Sequence, residues 1–120
     1  MKRLFDKVYF SSELLSDKIL VGGNTQNLLK FLVADTISET LVQEVQVKFV
    51  QIGEGRETVS TDITPYIALT QDTDNEDIFS INYLLAQPTE LSGITAKLKI
   101  LDENGNTHYN FINNFEIKVD

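Results

Sequence analysis

Apolar residues recur at every second position in several short stretches of this chain. In the stretch 94–100, four apolar residues alternate with three polar ones: Ile94, Ala96, Leu98 and Ile100 with Thr95, Lys97 and Lys99. A period of two places successive side chains on opposite faces of an extended chain. The stretch therefore predicts a strand with one buried face and one solvated face.

The residues that follow predict a hairpin. Segment 102–106 reads Asp-Glu-Asn-Gly-Asn, and Asn104-Gly105 favours a tight turn because both residue types accept positive φ. Phe115, Ile117 and Val119 then alternate with polar residues. We expect segment 115–119 to be the second strand of this antiparallel hairpin, whose apolar face must pack against the rest of the chain.

The same alternation recurs upstream in three further stretches. They are Leu29, Phe31 and Val33; Val45, Val47 and Phe49; and Phe79, Ile81 and Tyr83. Shorter β-prone runs lie at 7–10, 19–21 and 57–63, and segment 66–69 is typical of a strand or a short turn. Segment 11–17 reads as a polar break with room for one helical turn, and segment 34–44 as a polar connection anchored by Leu41 and Val42.

Seven to nine short strands separated by turn signals, with no sustained helical period, predict an all-β chain. This spacing favours an antiparallel β-sandwich. We find no internal repeat, low-complexity tract or linker rich in Pro, Gly or Ser. The expected organisation is a single β-sandwich domain over residues 1–120.

Composition narrows the classes of partner. Ten basic residues against eighteen acidic ones give a formal net charge of −8, which disfavours nucleic acid and anionic membrane as direct partners. The chain has no cysteine, so disulfides, thiolate nucleophiles and sulfur-ligated metals are excluded. Asp6 and Lys7 interrupt any apolar region near Met1, so we expect synthesis and folding in the cytosol rather than export.

The acidic loop 71–77 is the first candidate metal site. Asp72, Asp74 and Glu76 alternate, and carboxylates at alternate positions can converge on Ca²⁺. The EF-hand pattern fails, however, because Asp77 stands where that motif needs glycine and Tyr83 where it needs glutamate. The favoured interpretation is a solvated acidic loop between two strands.

Three other polar features have simpler interpretations than a reactive site. Asp102, Asn104 and Asn106 are typical of hairpin turns. His108 is the only histidine, so a multi-histidine metal site is excluded, and a surface or strand-edge position is favoured. Segment 22–25 (Gly-Gly-Asn-Thr) lacks the lysine and the following helix of a phosphate-binding loop. We therefore predict no catalytic, cofactor-binding or metal-binding residues.

A set of apolar residues exceeds what one buried sheet face needs: Phe5, Tyr9, Phe10, Leu28, Leu32, Phe111 and Ile112. Contiguous exposed apolar patches often mark contacts with other proteins. The alternative is that these residues line the ends of the fold or the second sheet, and the sequence leaves both interpretations open.

Two portions of the chain resemble known families. Segment 93–106, leading into Phe-Glu-Ile-Lys-Val-Asp at 115–120, resembles the last two strands of bacterial and phage immunoglobulin-like domains. Gly23-Asn24-Thr25 before the alternating strands 29–33 and 45–49 is similar to the N-terminal domain of phage baseplate upper proteins, with Asn24 where that family often has Asp. The resemblance implies an immunoglobulin-like β-sandwich and a structural role in a phage.

The leading functional hypothesis is a non-enzymatic assembly protein of a bacteriophage virion, in the tail, the baseplate or the capsid surface. It would dock to other virion proteins or to itself, use no cofactor, and be assembled in the host cytoplasm. A carbohydrate- or cell-surface-binding module is the alternative, with Tyr66, Tyr83 and Tyr109 as candidate sugar platforms. An enzyme ranks third, because no nucleophile motif is present.

Overall fold

The computed structural model describes residues 10–16, 18–52, 60–88 and 91–120. These residues form eleven strands and no helix. The strands are β1 (Phe10–Leu14), β2 (Lys18–Val21), β3 (Asn27–Asp35), β4 (Val42–Ile52), β5 (Ser60–Asp62), β6 (Ile67–Ala68), β7 (Thr70–Gln71), β8 (Ile78–Tyr83), β9 (Ile94–Asp102), β10 (Thr107–Ile112) and β11 (Glu116–Val119). Within these described ranges, no helical segment has the length and apolar character needed to cross a membrane.

Four antiparallel strands form the first sheet, called sheet I, in the order β1-β3-β8-β7. In its centre Phe31 lies opposite Phe79 and Leu29 opposite Ile81. The buried residues of β3 are the predicted ones, since Leu29, Phe31 and Val33 are all at most 2% exposed. The period of two therefore identified the inner face of sheet I.

Sheet II has the order β10-β9-β4-β5, with β6 also paired to β4. Its central strand β9 places Leu98 opposite Val47 on one side and Asn110 on the other. The buried and solvated positions of β9 alternate as predicted, because Ala96, Leu98 and Ile100 are fully buried. Thr95, predicted on the solvated face, is also buried.

A third, two-stranded sheet consists of β2 and β11, which run parallel, with Ile19 opposite Ile117. The Asn27 side chain attaches β2 to the start of β3. Its Oδ1 accepts a hydrogen bond from the Leu20 amide at 2.8 Å, and its Nδ2 donates to the Leu20 carbonyl at 2.8 Å. One side chain thus satisfies both backbone groups of a residue in a short strand.

The inner faces of sheets I and II share one apolar core with Ile19 and Val21 of β2. Phe31, Phe49 and Phe79 are its largest fully buried side chains. At one edge, Asn110 on β10 donates from Nδ2 to the Phe10 carbonyl oxygen at 2.6 Å. This bond joins the edge strand of sheet II to the edge strand of sheet I.

The prediction that segment 115–119 is the second strand of the hairpin was wrong. β9 pairs with β10, residues 107–112, whereas β11 continues to the parallel pairing with β2. Both candidate segments contain alternating residues, but β10 begins closer to the turn. Among the residues with described backbone, positive φ in this turn is confined to Gly105, at 85°. The turn is therefore a four-residue connection rather than a tight two-residue one.

Three other expectations differ from the structure. Residues Ser11–Leu14 continue β1 instead of forming a helical turn. They are extended because β3 supplies their backbone hydrogen-bond partners, and a polar sequence gives no local indication of that pairing. Leu41 is 53% exposed and is not a core anchor, whereas Val42 packs against the core as predicted. The described residues form eleven strands rather than seven to nine, because β5, β6 and β7 contain only two or three residues each. Residues 7–9 and 57–59 of the predicted β-prone runs lie outside the described residues.

Candidate functional site

Lysine and aromatic side chains gather on the outer face of sheet II. We call this surface the lysine–aromatic face and define it by six residues: Lys48, Tyr66, Lys97, Lys99, Tyr109 and Phe111. The strand register places Lys97 between Lys48 and Phe111, and Lys99 between Gln46 and Tyr109. Because directly paired residues point to the same side of a sheet, these two rows share the face opposite the core.

Two of the three aromatic rings of this face are open to solvent, whereas Tyr66 is half-buried. Tyr109 is 50% exposed and Phe111 is 59% exposed. Exposed apolar residues are common singly, but neighbouring exposed rings are typical of surfaces that contact another molecule. Beside them, Glu44, Leu101 and Thr107 help line a shallow groove of about 200 Å³. The face therefore offers both flat apolar area and a concave edge.

The lysines of this face lie over its rings. Lys97 Nζ is 4.9 Å from the centre of the Tyr109 ring and 5.8 Å from that of Phe111. Tyr66 lies under two ammonium groups, with Lys48 Nζ at 4.8 Å and Lys99 Nζ at 5.4 Å. Such contacts contribute roughly 0.5–1 kcal/mol at exposed sites, so they hold the ammonium groups close to the rings.

The face is basic in an acidic protein. The described residues contain six lysines and no arginine, and three of the lysines lie on this face. Lys48 Nζ forms an ion pair with Asp62 at 3.0 Å. Lys97 and Lys99 have no carboxylate partner among the described residues. Within the described part of the chain, the ammonium groups of Lys97 and Lys99 are therefore not neutralised by an ion pair, and Glu44 is the carboxylate that shares a groove with Lys99.

A second feature lies at the end of the fold where β3 stops and β8 starts. This acidic groove has a volume of about 500 Å³, and its lining includes Asp35, Glu39, Leu41, Val42, Glu76 and Asp77. Glu39, Leu41, Glu76 and Asp77 are exposed. Carboxylates and apolar side chains thus line the same groove, a combination that suits a long side chain with a charged end.

Asp35 belongs to the structure of this groove and not to its available charge. Its Oδ1 accepts from the amides of Ile37 and Ser38, and its Oδ2 from the amide of Thr40, at 2.9–3.0 Å. Burial raises the pKa of this carboxyl, but the hydrogen bonds from the three amides and the Thr40 side chain outweigh burial and lower it to about 2. An ionised Asp35 therefore organises the connection between β3 and β4.

The acidic loop 71–77, considered above for calcium, forms β7 and a turn. Asp72 Oδ1 accepts from the Asp74 amide at 2.8 Å, and Asn75 Oδ1 accepts from the Asp77 amide at 3.0 Å. These side chains fold back on their own backbone, as such residues do in turns. Among the described residues, no three His, Cys, Asp or Glu side chains are grouped so that they could hold a metal ion.

His108 lies on the edge strand β10 and contacts Asp102. Its Nε2 is 2.8 Å from Asp102 Oδ2, and the Asp102 side chain is fully buried. Burial raises the pKa of Asp102, but hydrogen bonds from His108 and from the amides of Asn106 and Asn104 lower it overall. The amide bonds place Asp102 in the turn role predicted for it, whereas its pairing with the histidine was missed.

Other sequence candidates fall in separate places. Gly22, with φ 84°, forms the loop between β2 and β3. Phe10 and Ile112 are in the core, whereas Leu28 is 52% exposed on the outer side of sheet I. Leu32 is half-buried on that same strand. Phe5 and Tyr9 lie outside the described residues. The apolar set thus divides between the core and two opposite surfaces, and Phe111 is its member on the lysine–aromatic face.

The sequence predicts Tyr66 and Tyr109 as sugar platforms only and gives no sign of their lysine neighbours. The register between β9 and β10 would have revealed part of this face, because it sets Lys97 opposite Phe111 and Lys99 opposite Tyr109. That register was hidden because the partner of β9 had been assigned to 115–119. Tyr83, the third candidate, packs against the core instead. Comparison of the chain with protein-family models and with curated proteins finds no match.

Proposed function

We propose that this chain is a non-enzymatic structural component of a bacteriophage virion that works by docking to other proteins. The observation that favours docking is the lysine–aromatic face, where Tyr109 and Phe111 are both at least half exposed. Aromatic residues are enriched in protein interfaces because they bury a large area at low cost in conformational entropy. The resemblance of residues 23–25 and the strands 29–33 and 45–49 to phage baseplate upper proteins supports the virion setting.

We also propose an immunoglobulin-like sandwich for the two larger sheets. In immunoglobulin terms, the order β1-β3-β8-β7 corresponds to strands A, B, E and D, and the order β10-β9-β4-β5 to G, F, C and C′. The shared core between the sheets is consistent with this packing. On that reading, the lysine–aromatic face lies on the G, F and C strands.

A binding experiment with purified proteins tests the docking proposal. The chain is mixed with the products of the genes that flank its own, and association is measured by analytical ultracentrifugation. Replacing Tyr109 and Phe111 together with serine should abolish association. Leu28→Ser is the matched control, because Leu28 is equally exposed but lies on the outer side of sheet I, and it should leave binding intact.

Two results contradict the proposal. The first is a wild-type chain that stays monomeric and ignores every tail, baseplate and capsid protein encoded beside it. The second is binding that Tyr109→Ser with Phe111→Ser leaves unchanged. A circular dichroism melt of each variant establishes that the exposed substitutions have not unfolded the chain.

A carbohydrate-binding module is the second candidate. The observation in its favour is that Tyr66 and Tyr109 lie on one face, next to the groove lined by Glu44, Gln46 and Thr107. Rings beside polar side chains are suited to stacking and hydrogen bonding with a sugar. A glycan array distinguishes the two functions: Tyr66→Ala and Tyr109→Ala should each remove sugar binding, while Tyr83→Ala, on the core side of sheet I, should not.

A further inference from the structure

We propose that the lysine–aromatic face of one molecule binds the acidic groove of a second copy of the same chain. This inference names a partner for the docking surface and therefore depends on the proposed function. It starts from Lys97 and Lys99, which have no carboxylate partner within the described residues. The partner that complements this face best is one that presents carboxylates to the lysines and apolar surface to the rings.

The chain carries such a surface itself. Glu39, Glu76 and Asp77 border the acidic groove, and Leu41 and Val42 supply its apolar part. A lysine side chain has an apolar stem and a charged end, so it can pack the stem on Leu41 and bring the ammonium group to the rim. Asp35 takes no part, because its oxygens already accept three backbone hydrogen bonds.

The two surfaces differ in position, and this decides the type of assembly. The acidic groove lies at the strand ends beside the 36–41 connection, whereas the lysine–aromatic face lies on the outer side of sheet II. A contact between two different surfaces is heterologous, so a pair of molecules still has one free groove on one copy and one free face on the other. Repetition of the contact produces a ring or a filament, which is a form suited to a virion.

Net charge sets the conditions of this contact. Each copy carries a formal charge of −8, so two copies repel each other at long range while the face and the groove attract at short range. Added salt screens both terms over a distance of about 10 Å at 0.1 M. Because net charge opposes association, the contact must depend on the lysines of the face meeting the carboxylates of the groove. Reversing the charges on either surface should therefore weaken it.

Exchange of charge between the two surfaces is the test. The first variant carries Lys97→Glu and Lys99→Glu, which make the face acidic. The second carries Glu39→Lys, Glu76→Lys and Asp77→Lys, which reverse the three carboxylates that border the groove and make it basic. Sedimentation of full-length chains should show self-association of the wild type, weakened about tenfold or more in each variant alone. An equimolar mixture of the two variants should associate again, because each face then meets a complementary groove.

A matched control reverses two other lysines. Lys18→Glu with Lys118→Glu changes the net charge by the same amount as the first variant. Both lysines are exposed, on β2 and β11, and self-association should persist. Circular dichroism melts of all variants verify folding, and recovery of association in the mixture shows that neither variant has lost its structure.

The inference is overturned if the wild type is monomeric, if either variant associates like the wild type, or if the mixture stays dissociated. Binding of an anionic polysaccharide to a face on a monomeric chain would also overturn it. Failure of this inference is separable from failure of the proposed function. A monomeric chain whose face binds a neighbouring gene product leaves the docking function standing, whereas a chain that binds neither itself nor such a protein removes both.

Discussion

His108 Nε2 lies 2.8 Å from Asp102 Oδ2, across the turn that joins β9 to β10. The lowered pKa of Asp102 keeps this buried carboxyl ionised, so it can only accept hydrogen bonds and Nε2 of the imidazole must donate. The Phe10 ring contacts the imidazole edge-on, with ring centres 4.9 Å apart. The pair therefore links the turn of sheet II to the edge strand of sheet I.

The first prediction concerns this pair. Asp102→Asn should lower the free energy of unfolding by about 2 kcal/mol. The amides of Asn104 and Asn106 share Oδ1 and keep their acceptor, but an NH2 group replaces Oδ2 and faces the donating Nε2 of His108. His108→Ala should cost less, about 1 kcal/mol, since Asp102 keeps the amides of Asn104 and Asn106. Urea denaturation at pH 7 measures both. Equal losses, or none for Asp102→Asn, would contradict the role assigned to the carboxylate.

Asp35 leads to a prediction about pH. Its pKa is lowered from 3.8 to about 2 in the folded chain. A carboxyl whose folded pKa lies below its unfolded value stabilises the fold fully above the unfolded pKa and loses that contribution as pH falls through the folded pKa. Relative to Asp35→Asn, the wild type should be more stable by about 2 kcal/mol at pH 6.

That advantage should shrink between pH 4 and pH 2. Denaturant unfolding of both proteins at intervals across this range gives the difference directly. Glu39→Gln is the matched control, because Glu39 is an exposed carboxylate in the same connection and its replacement should leave the pH profile unchanged. A difference between the wild type and Asp35→Asn that stays constant down to pH 2 would refute the assignment.

Gly93 and Gly105 allow a comparison of two causes of strain. Both have positive φ, at 75° and 85°. A Cβ on Gly93 would lie 2.5 Å from the Ile52 carbonyl oxygen, whereas a Cβ on Gly105 would meet no atom within 4 Å. Gly105→Ala should therefore cost about 1 kcal/mol, for the backbone conformation alone.

Gly93→Ala should cost more than that, because β4 and the segment before β9 must also separate. The Ile52 amide donates to the Gly93 carbonyl at 2.9 Å, so the separation weakens this bond as well. Thermal unfolding of the two variants side by side measures the difference. Melting temperatures that fall equally would show that the close approach to β4 has no energetic consequence.

The strands with strict alternation could be predicted from sequence, and the polar ones could not. β9, β4 and the inner positions of β3 bury their apolar residues on a single face, so hydrophobicity alone identifies them. β1 contains Ser11, Ser12 and Glu13 and is a strand only because β3 supplies its hydrogen-bond partners. Tertiary context of this kind is absent from a local pattern.

The candidate site could not be predicted from the sequence because it depends on which strand pairs with β9. Segments 107–112 and 115–119 are both compatible with a strand that follows β9, and only the register distinguishes them. That register brings Tyr109 beside Lys99 and Phe111 beside Lys97. The contacts of Tyr66 with Lys48 and Lys99 depend in addition on the position of β6 beside β4. A surface assembled from three strands and a loop is not a sequence motif. Its local positive charge is also not visible in the negative net charge of the whole chain.

Asn27 gives the last prediction, which concerns local stability. Its side chain bonds both the amide and the carbonyl of Leu20 at 2.8 Å, and β2 in turn pairs with β11. Asn27→Ala removes both bonds, so the amides of β2 and β11 should exchange with solvent about tenfold faster or more, as expected for a local loss of roughly 1–2 kcal/mol. Hydrogen exchange followed by mass spectrometry measures this, with β9 as the internal reference. Asn82→Ala, an exposed position on β8, is the control and should leave the exchange of β2 and β11 unaltered. Uniform acceleration across β2, β9 and β11 would mean that Asn27 stabilises the whole fold rather than the attachment of β2.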